Sequence, residues 1–486
     1  MSISSCPLRL IIAGGIAVLF LVAINSYEGS SFVFALFSVA FLALLGSGFY
    51  RQRTYGYTFL AVFLWLGFWL KVSWHLAWGN GYPEPTGHFL GSPAHWDGAL
   101  IVSTIGALAV LSARLVFETL FGGAAKTLYG SNDKPPQWLE PLQRWHWALF
   151  LLVVVAVATA NLYFQIFVTG LKVGTILAWP LNALITLMLV GGGFATWMAI
   201  LLWYEIRWTG SVFRWVILLI MAALVITMSS LSRGMIVMLL TPGAYALYKN
   251  SHGLLDLSRK RLGILLILFF CAVTANFYVV NAMRNSIYFE KNAEVAKVGG
   301  EQQSFSMPSL LIKAKEQAIG LMHFSVDRWV GIEGVMAVSS YPELGADLFA
   351  RAILEPPVKT EPSIYETIAP WRYEPGVVMR ENVNFMSLPG GIAFLYYSGS
   401  LWVVFAVTIF LVVAIQYFEM LIYKLTSNPL LCAHISWLMA LTFAHIGGAP
   451  KSQLPTLLFT VLLVLLAGAL QAKWLASFLN RVCLRA

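Results

Sequence analysis

The chain has 486 residues, 59% of them hydrophobic and 11% charged, with a mean hydropathy of +0.76 and a net charge of +9. Soluble domains are about 45–50% apolar and about 25% charged, so a soluble globular enzyme is excluded. The apolar excess recurs in runs of about 18–25 residues, the length that crosses a bilayer core as a helix. The basic residues are scattered among these runs, which points to membrane topology and not to nucleic acid. Cys6, Cys271, Cys432 and Cys483 lie at the termini or inside apolar runs without CxxC spacing, so neither a disulfide framework nor a zinc site is indicated.

Taken in chain order, the pattern predicts an all-α polytopic membrane protein with about twelve transmembrane helices. They are centred near residues 17, 41, 67, 108, 157, 191, 221, 241, 272, 404, 438 and 463. The first, Leu10 to Ile24, has no A-x-A-like cleavage site after it and reads as a retained anchor. With a cytoplasmic N-terminus, the inner short loops collect sixteen Lys and Arg, among them Arg51, Arg53, Arg207, Arg214 and Arg259 to Arg261. The outer short loops hold Lys172, Arg233 and Lys451. Positive residues are retained inside, so both termini are expected in the cytoplasm.

Three regions follow: a membrane region over 1–281 with spans one to nine, a large extracytoplasmic loop over 282–390, and a second membrane region over 391–486 with spans ten to twelve. The loop holds ten basic and thirteen acidic residues, and a loop of that size implies a role. Within it, Leu311, Ile312, Ile319, Met322 and Phe324 recur at helical spacing, predicting an amphipathic helix on the membrane surface. SVDRWVGIEGVMAV gives a second helical pattern. The Pro- and Glu-rich run LEPPVKTEPSIYETIAPWRYEPG reads as irregular chain draped over the membrane domain. No internal repeat is visible and no span carries Asp or Glu near its middle, which disfavours an ion-coupled carrier.

Candidate chemistry begins with Lys71 and His75, four residues apart on one face of span three, among Trp65, Trp69, Trp74 and Trp78. A lysine there suits a phosphate and tryptophans suit sugar rings, although tryptophan belts also form at bilayer interfaces without any ligand. The next loop carries Glu84, His88, His95 and Asp97; two histidines seven apart with no third clear ligand make a poor metal site. Arg233 occupies the short outer turn SSLSRGM between spans seven and eight, where its charge is costly unless paired or functional. Arg284, Arg328, Arg351, Arg372 and Arg380 follow in the large loop. Arginine grips phosphate with a planar fork of donors; the alternative is that these arginines pair with the loop acids. His323, Asp327 and Glu333 are candidates for the base, against ordinary salt bridging.

This layout, with its large late outer loop and arginine-rich outer face, resembles the Wzy-type O-antigen or repeat-unit polysaccharide polymerases. That family carries an Arg-x10-Gly pattern in outer loops, and Arg380 to Gly391 in RENVNFMSLPGG has this spacing. The outer loop between spans five and six offers only Lys172, so the chain has one such pattern and not two. ENVNFMSLPGGIAFLYYSGSLWVV is similar to the region after the large loop in these enzymes. The resemblance implies a GT-C-like fold in the bacterial inner membrane. It also implies a metal-independent glycosyltransferase, without cofactor, that moves a growing glycan from undecaprenyl pyrophosphate onto a sugar hydroxyl of the next lipid-linked repeat unit, toward lipopolysaccharide or another surface polysaccharide. The lipid-linked oligosaccharide and the bilayer would then be partners, with a chain-length regulator and a flippase. Arg233, Arg284, Arg328, Arg372 and Arg380, with Lys71 and His75, would contact pyrophosphate or glycan, and Asp327, Glu333 or His323 would be the base. Competing readings are an O-antigen ligase, a transferase using a polyprenyl-phosphate sugar through Glu84 or Asp97, and a lipid-linked glycan flippase or exporter.

Overall fold

The computed structural model describes residues 6–50, 54–125, 143–170, 174–190, 192–209, 212–250, 259–288, 325–355, 363–370, 388–446 and 450–471. Among these the protein is all-helical, with no strand. Its helices are α1 (Cys6–Asn25), α2 (Ser31–Phe49), α3 (Tyr55–Trp78), α4 (Pro93–Ala125), α5 (Gln143–Phe164), α6 (Leu181–Leu189), α7 (Gly193–Thr209), α8 (Phe213–Ser229), α9 (Met235–Asn250) and α10 (Arg259–Tyr288). After the first part of the large loop come α11 (Ile332–Ser339), α12 (Ala346–Leu354), α13 (Ile364–Ile368), α14 (Gly391–Tyr396), α15 (Leu401–Thr426), α16 (Pro429–Ala444) and α17 (Pro450–Gln471).

Six stretches, in α2, α3, α4, α5, α10 and α15, are long and apolar enough to cross a membrane, or seven if the α6–α7 pair, bent by 61°, is one span. Shorter apolar helices fill Leu10–Asn25, Phe213–Ser229, Met235–Lys249, Pro429–Ala444 and Gln453–Ala469. Eleven of the expected centres fall inside a helix, and the centre near 191 falls between α6 and α7. Exposed Leu, Ile, Val and Phe ring the outside of these helices, including Leu152, Leu266, Phe270 and Phe410. Such a surface suits hydrocarbon as its solvent, and the protein is a helical membrane protein.

The core is built on α3, which is buried along most of its length against α2, α15 and α16. A buried carboxylate fixes one end of it. Glu419 of α15 accepts the backbone N–H of Tyr55 at 2.8 Å and of Gly56 at 2.7 Å, and Ser436 of α16 donates to it at 2.8 Å. The first N–H groups of a helix have no partner within it and carry partial positive charge, so an anion there is stabilising.

The described part of the large loop does not stand apart from the membrane helices. Residues Ile332 to Val338 of α11 are all buried, and α11 packs on α4 and α14. The segment read as irregular contains one helical turn, α13, closed by a capping box between Ser363 and Glu366. The amphipathic helix expected before Phe324 lies outside the described residues. Gly390, at φ +76°, lets the chain turn from the loop into α14 and donates its N–H to Ile446 at 3.0 Å.

Candidate functional site

The site forms at the end of α3 opposite Glu419. Midway along α3 a π-helical turn spans Trp65–Leu70, a feature frequent at functional positions. Gly67 in this turn meets Gly331 backbone to backbone: a Cβ on Gly67 would collide with the Val330 carbonyl oxygen, and one on Gly331 with the Gly67 carbonyl oxygen. Only glycines allow this approach, and it seats the returning loop directly on α3.

Lys71 then clasps that loop. Its Nζ donates to Glu333 Oε1 at 2.8 Å, to Oε2 at 3.1 Å and to the Asp327 carbonyl oxygen at 2.9 Å. An ammonium has three donors, and all three contacts go to the returning loop. Lys71 and Glu333 are both buried, so Glu333 is held as the counter-ion of Lys71 and the pair ties the loop to α3. One turn further on, His75 Nε2 lies 2.9 Å from Asp327 Oδ1, while Nδ1 lies 3.3 Å from the Asn80 carbonyl oxygen. The Asp327 carboxylate is thereby oriented, with its side chain still 20% exposed.

Arg328 follows immediately and lies against the Arg233–Gly234 turn, where a Cβ on Gly234 would be 3.7 Å from its Nε. The side chain is reached by solvent, yet desolvation, then the like charge of Arg284, lowers its pKa, with Glu84 opposing. It makes no hydrogen bond or ion pair among the described residues.

The neighbouring arginines are anchored. Arg233 Nη1 donates to Asn281 Oδ1 at 2.9 Å, and its guanidinium sits 5.9 Å from the centre of the Phe277 ring. Asn276 ties the same turn to α8: it accepts from Thr227 at 2.9 Å and donates to the Ser232 and Arg233 carbonyl oxygens at 3.4 and 3.3 Å. Arg284 Nη2 donates to the Thr169 carbonyl oxygen at 2.9 Å, and Thr169 N–H bonds Ser230 at 3.0 Å.

Seven residues named from the sequence thus converge on one end of the bundle: Lys71, His75, Arg233, Arg284, Asp327, Arg328 and Glu333. His323, Arg372 and Arg380 lie outside the described residues. Arg351 is exposed on α12. Trp65 and Trp69 stack on each other at 5.4 Å, as do Trp74 and Trp78 at 4.2 Å, and Trp69 is fully buried. Asp97 serves the fold, accepting from Tyr27 Oη and from Ser30 N–H, each at 2.9 Å. His95 Nδ1 accepts from Leu90 N–H at 3.1 Å.

Sequence reasoning missed Tyr82, Trp329 and His445. The ring of Tyr82 lies 4.5 Å from that of His75. Trp329 stacks on Phe63 at 5.5 Å, and His445 meets Trp329 at 6.0 Å. His445 follows α16 directly, in TFAHIGG; a histidine ending an apolar run was the available signal. Set against known protein families, curated proteins and solved structures, the chain matches none.

Proposed function

We propose that this helical membrane protein is a metal-independent glycosyltransferase that polymerises undecaprenyl-pyrophosphate-linked oligosaccharide repeat units at the outer face of a bacterial inner membrane. In this reading about twelve spans build a GT-C-like body and both termini are cytoplasmic. One observation carries it: Arg328, without a hydrogen-bond partner among the described residues, stands beside Arg284 and next to the oriented Asp327 carboxylate.

The chemistry divides between these groups. The acceptor hydroxyl oxygen forms a bond to the anomeric carbon of the growing glycan. The bond from that carbon to the pyrophosphate oxygen breaks, and its electron pair leaves with the pyrophosphate. The hydroxyl proton passes to the Asp327 carboxylate, which His75 holds in place. Arg328 and Arg284 neutralise the charge that grows on the departing pyrophosphate, and such preorganised charge is worth most in a desolvated recess. Lys71 and Glu333 position the turn that carries Asp327 and Arg328.

The test is turnover of a synthetic polyprenyl-pyrophosphate oligosaccharide by purified protein in nanodiscs. Wild type and Arg351→Ala should give a ladder of lengthened glycans, and Arg328→Ala should lose it by about 10²-fold or more. Absence of any ladder from folded wild type, over several repeat-unit chemistries, would sink the proposal. A second reading, a transferase using a polyprenyl-phosphate sugar, is favoured by the charge of Glu84 acting on Arg328. It predicts that Glu84→Gln abolishes transfer from a polyprenyl-phosphate sugar.

A further inference from the structure

Two polar groups beside these residues are not used by the proposed transfer. The Nε2 of His445 and the phenol oxygen of Tyr82 are buried and have no hydrogen-bond partner among the described residues. Leaving such atoms unpaired in a folded interior is unfavourable, and native proteins rarely do so away from ligand sites. Both flank the centre just described. Tyr82 lies against His75 and feels the charge of Glu333; His445 lies against Trp329 and Phe63 and feels the charges of Arg328 and Lys71.

We propose that His445 and Tyr82, together with the face of Trp329, form a subsite for the hydroxyl groups of a sugar ring whose phosphate sits at Arg328. This rests on the reading of Arg328 as a phosphate contact. A sugar ring offers several hydroxyls, each able to donate and accept, on a framework with apolar C–H faces. The unpaired groups match it. The Nε2 of a neutral imidazole donates or accepts according to its tautomer, and a phenol does both. His445 is neutral at physiological pH, because burial first, and then Arg328 and Lys71, push its pKa down to about 3. The indole N–H of Trp329 is already bonded to the Ser325 carbonyl oxygen at 2.8 Å, which fixes the ring as an apolar surface of the kind that packs against sugar C–H groups. A cationic residue in place of either group would bind phosphate indiscriminately; neutral donors and acceptors distinguish a sugar phosphate from phosphate alone.

The experiment is calorimetric titration of the full chain in nanodiscs with methyl phosphate and with a panel of hexose and N-acetylhexosamine 1-phosphates. At least one sugar 1-phosphate should bind more tightly than methyl phosphate. His445→Phe, which keeps the ring packing, and Tyr82→Phe should each reduce that advantage about tenfold. Methyl phosphate binding should stay within about twofold, and His445→Gln, which restores a donor and an acceptor, should recover part of the loss. The inference is overturned if no sugar 1-phosphate exceeds methyl phosphate, or if the Phe variants weaken both ligands alike while their unfolding temperatures match wild type. If methyl phosphate fails to bind wild type while a sugar-dependent signal persists and disappears in His445→Phe, the pyrophosphate reading falls and the subsite stands.

Discussion

Lys71 and Glu333 meet at 2.8 Å with both side chains buried, although 262 residues separate them in sequence. The pair fastens the returning loop to the centre of the membrane bundle and so places Asp327 and Arg328. Removing one partner strands a buried charge, which costs about 3–5 kcal/mol, whereas replacing both with apolar groups of similar volume is far milder. Lys71→Met and Glu333→Leu should each lower the thermal unfolding midpoint sharply. The double variant should lose much less than the sum of the two, as read by thermal unfolding in detergent. A sum-like loss would mean that the two residues act independently.

The His75–Asp327 contact makes a kinetic prediction. Asp327→Asn keeps the shape and the hydrogen bond to one ring nitrogen but cannot take up a proton at the carboxyl. If the protein is the transferase proposed above, its kcat should fall by about 10²- to 10⁴-fold with little change in KM. His75→Gln, which disturbs only the orientation of that carboxylate, should fall less. A rise of KM with kcat unchanged in Asp327→Asn would assign Asp327 to binding.

Much of this site was legible because its polar residues stand out against an apolar chain. Lys71 and His75 share a helical face by their spacing alone, and Arg233 sits in a turn too short to be an ordinary loop. The pairing of Lys71 with Glu333 was not legible, since nothing local marks two residues so far apart as neighbours. It depends on the glycine contact of Gly67 with Gly331, which is visible only when the chain is folded. For the same reason Asp97, a candidate acid in sequence, emerges as the anchor of Tyr27 and Ser30. Tyr82, Trp329 and His445 escaped notice because single aromatic residues carry no spacing, and their significance comes from unpaired atoms and shared walls.

Glu419 offers a control at the opposite end of α3. Its carboxylate takes three hydrogen bonds, two from the first N–H groups of the helix. Glu419→Gln retains an acceptor but loses the charge, and hydrogen bonds to charged groups contribute about 1.5–3 kcal/mol each. The variant should therefore unfold at a lower temperature, while, on the proposed transferase reading, its folded fraction should turn over substrate at a wild-type rate. A fall in kcat at a temperature where the protein is fully folded would show that this end of α3 communicates with the arginine site.

His445 makes stability depend on acidity in a defined direction. Its pKa is held at about 3 in the folded chain, by burial first and by Arg328 and Lys71 next, against an ordinary value of 6.5. Between those values the unfolded chain binds a proton that the folded chain refuses, so stability rises with pH and is lost on acidification below about 6.5. At pH 5 the contribution amounts to about 2 kcal/mol relative to neutral pH. His445→Phe removes the titrating group while filling the same space beside Trp329 and Phe63. The fall in unfolding temperature between pH 7.5 and pH 5 should therefore be smaller in His445→Phe than in wild type. An identical fall in both proteins would place the acid sensitivity elsewhere and show that the imidazole is free to charge beside Trp329 and Phe63.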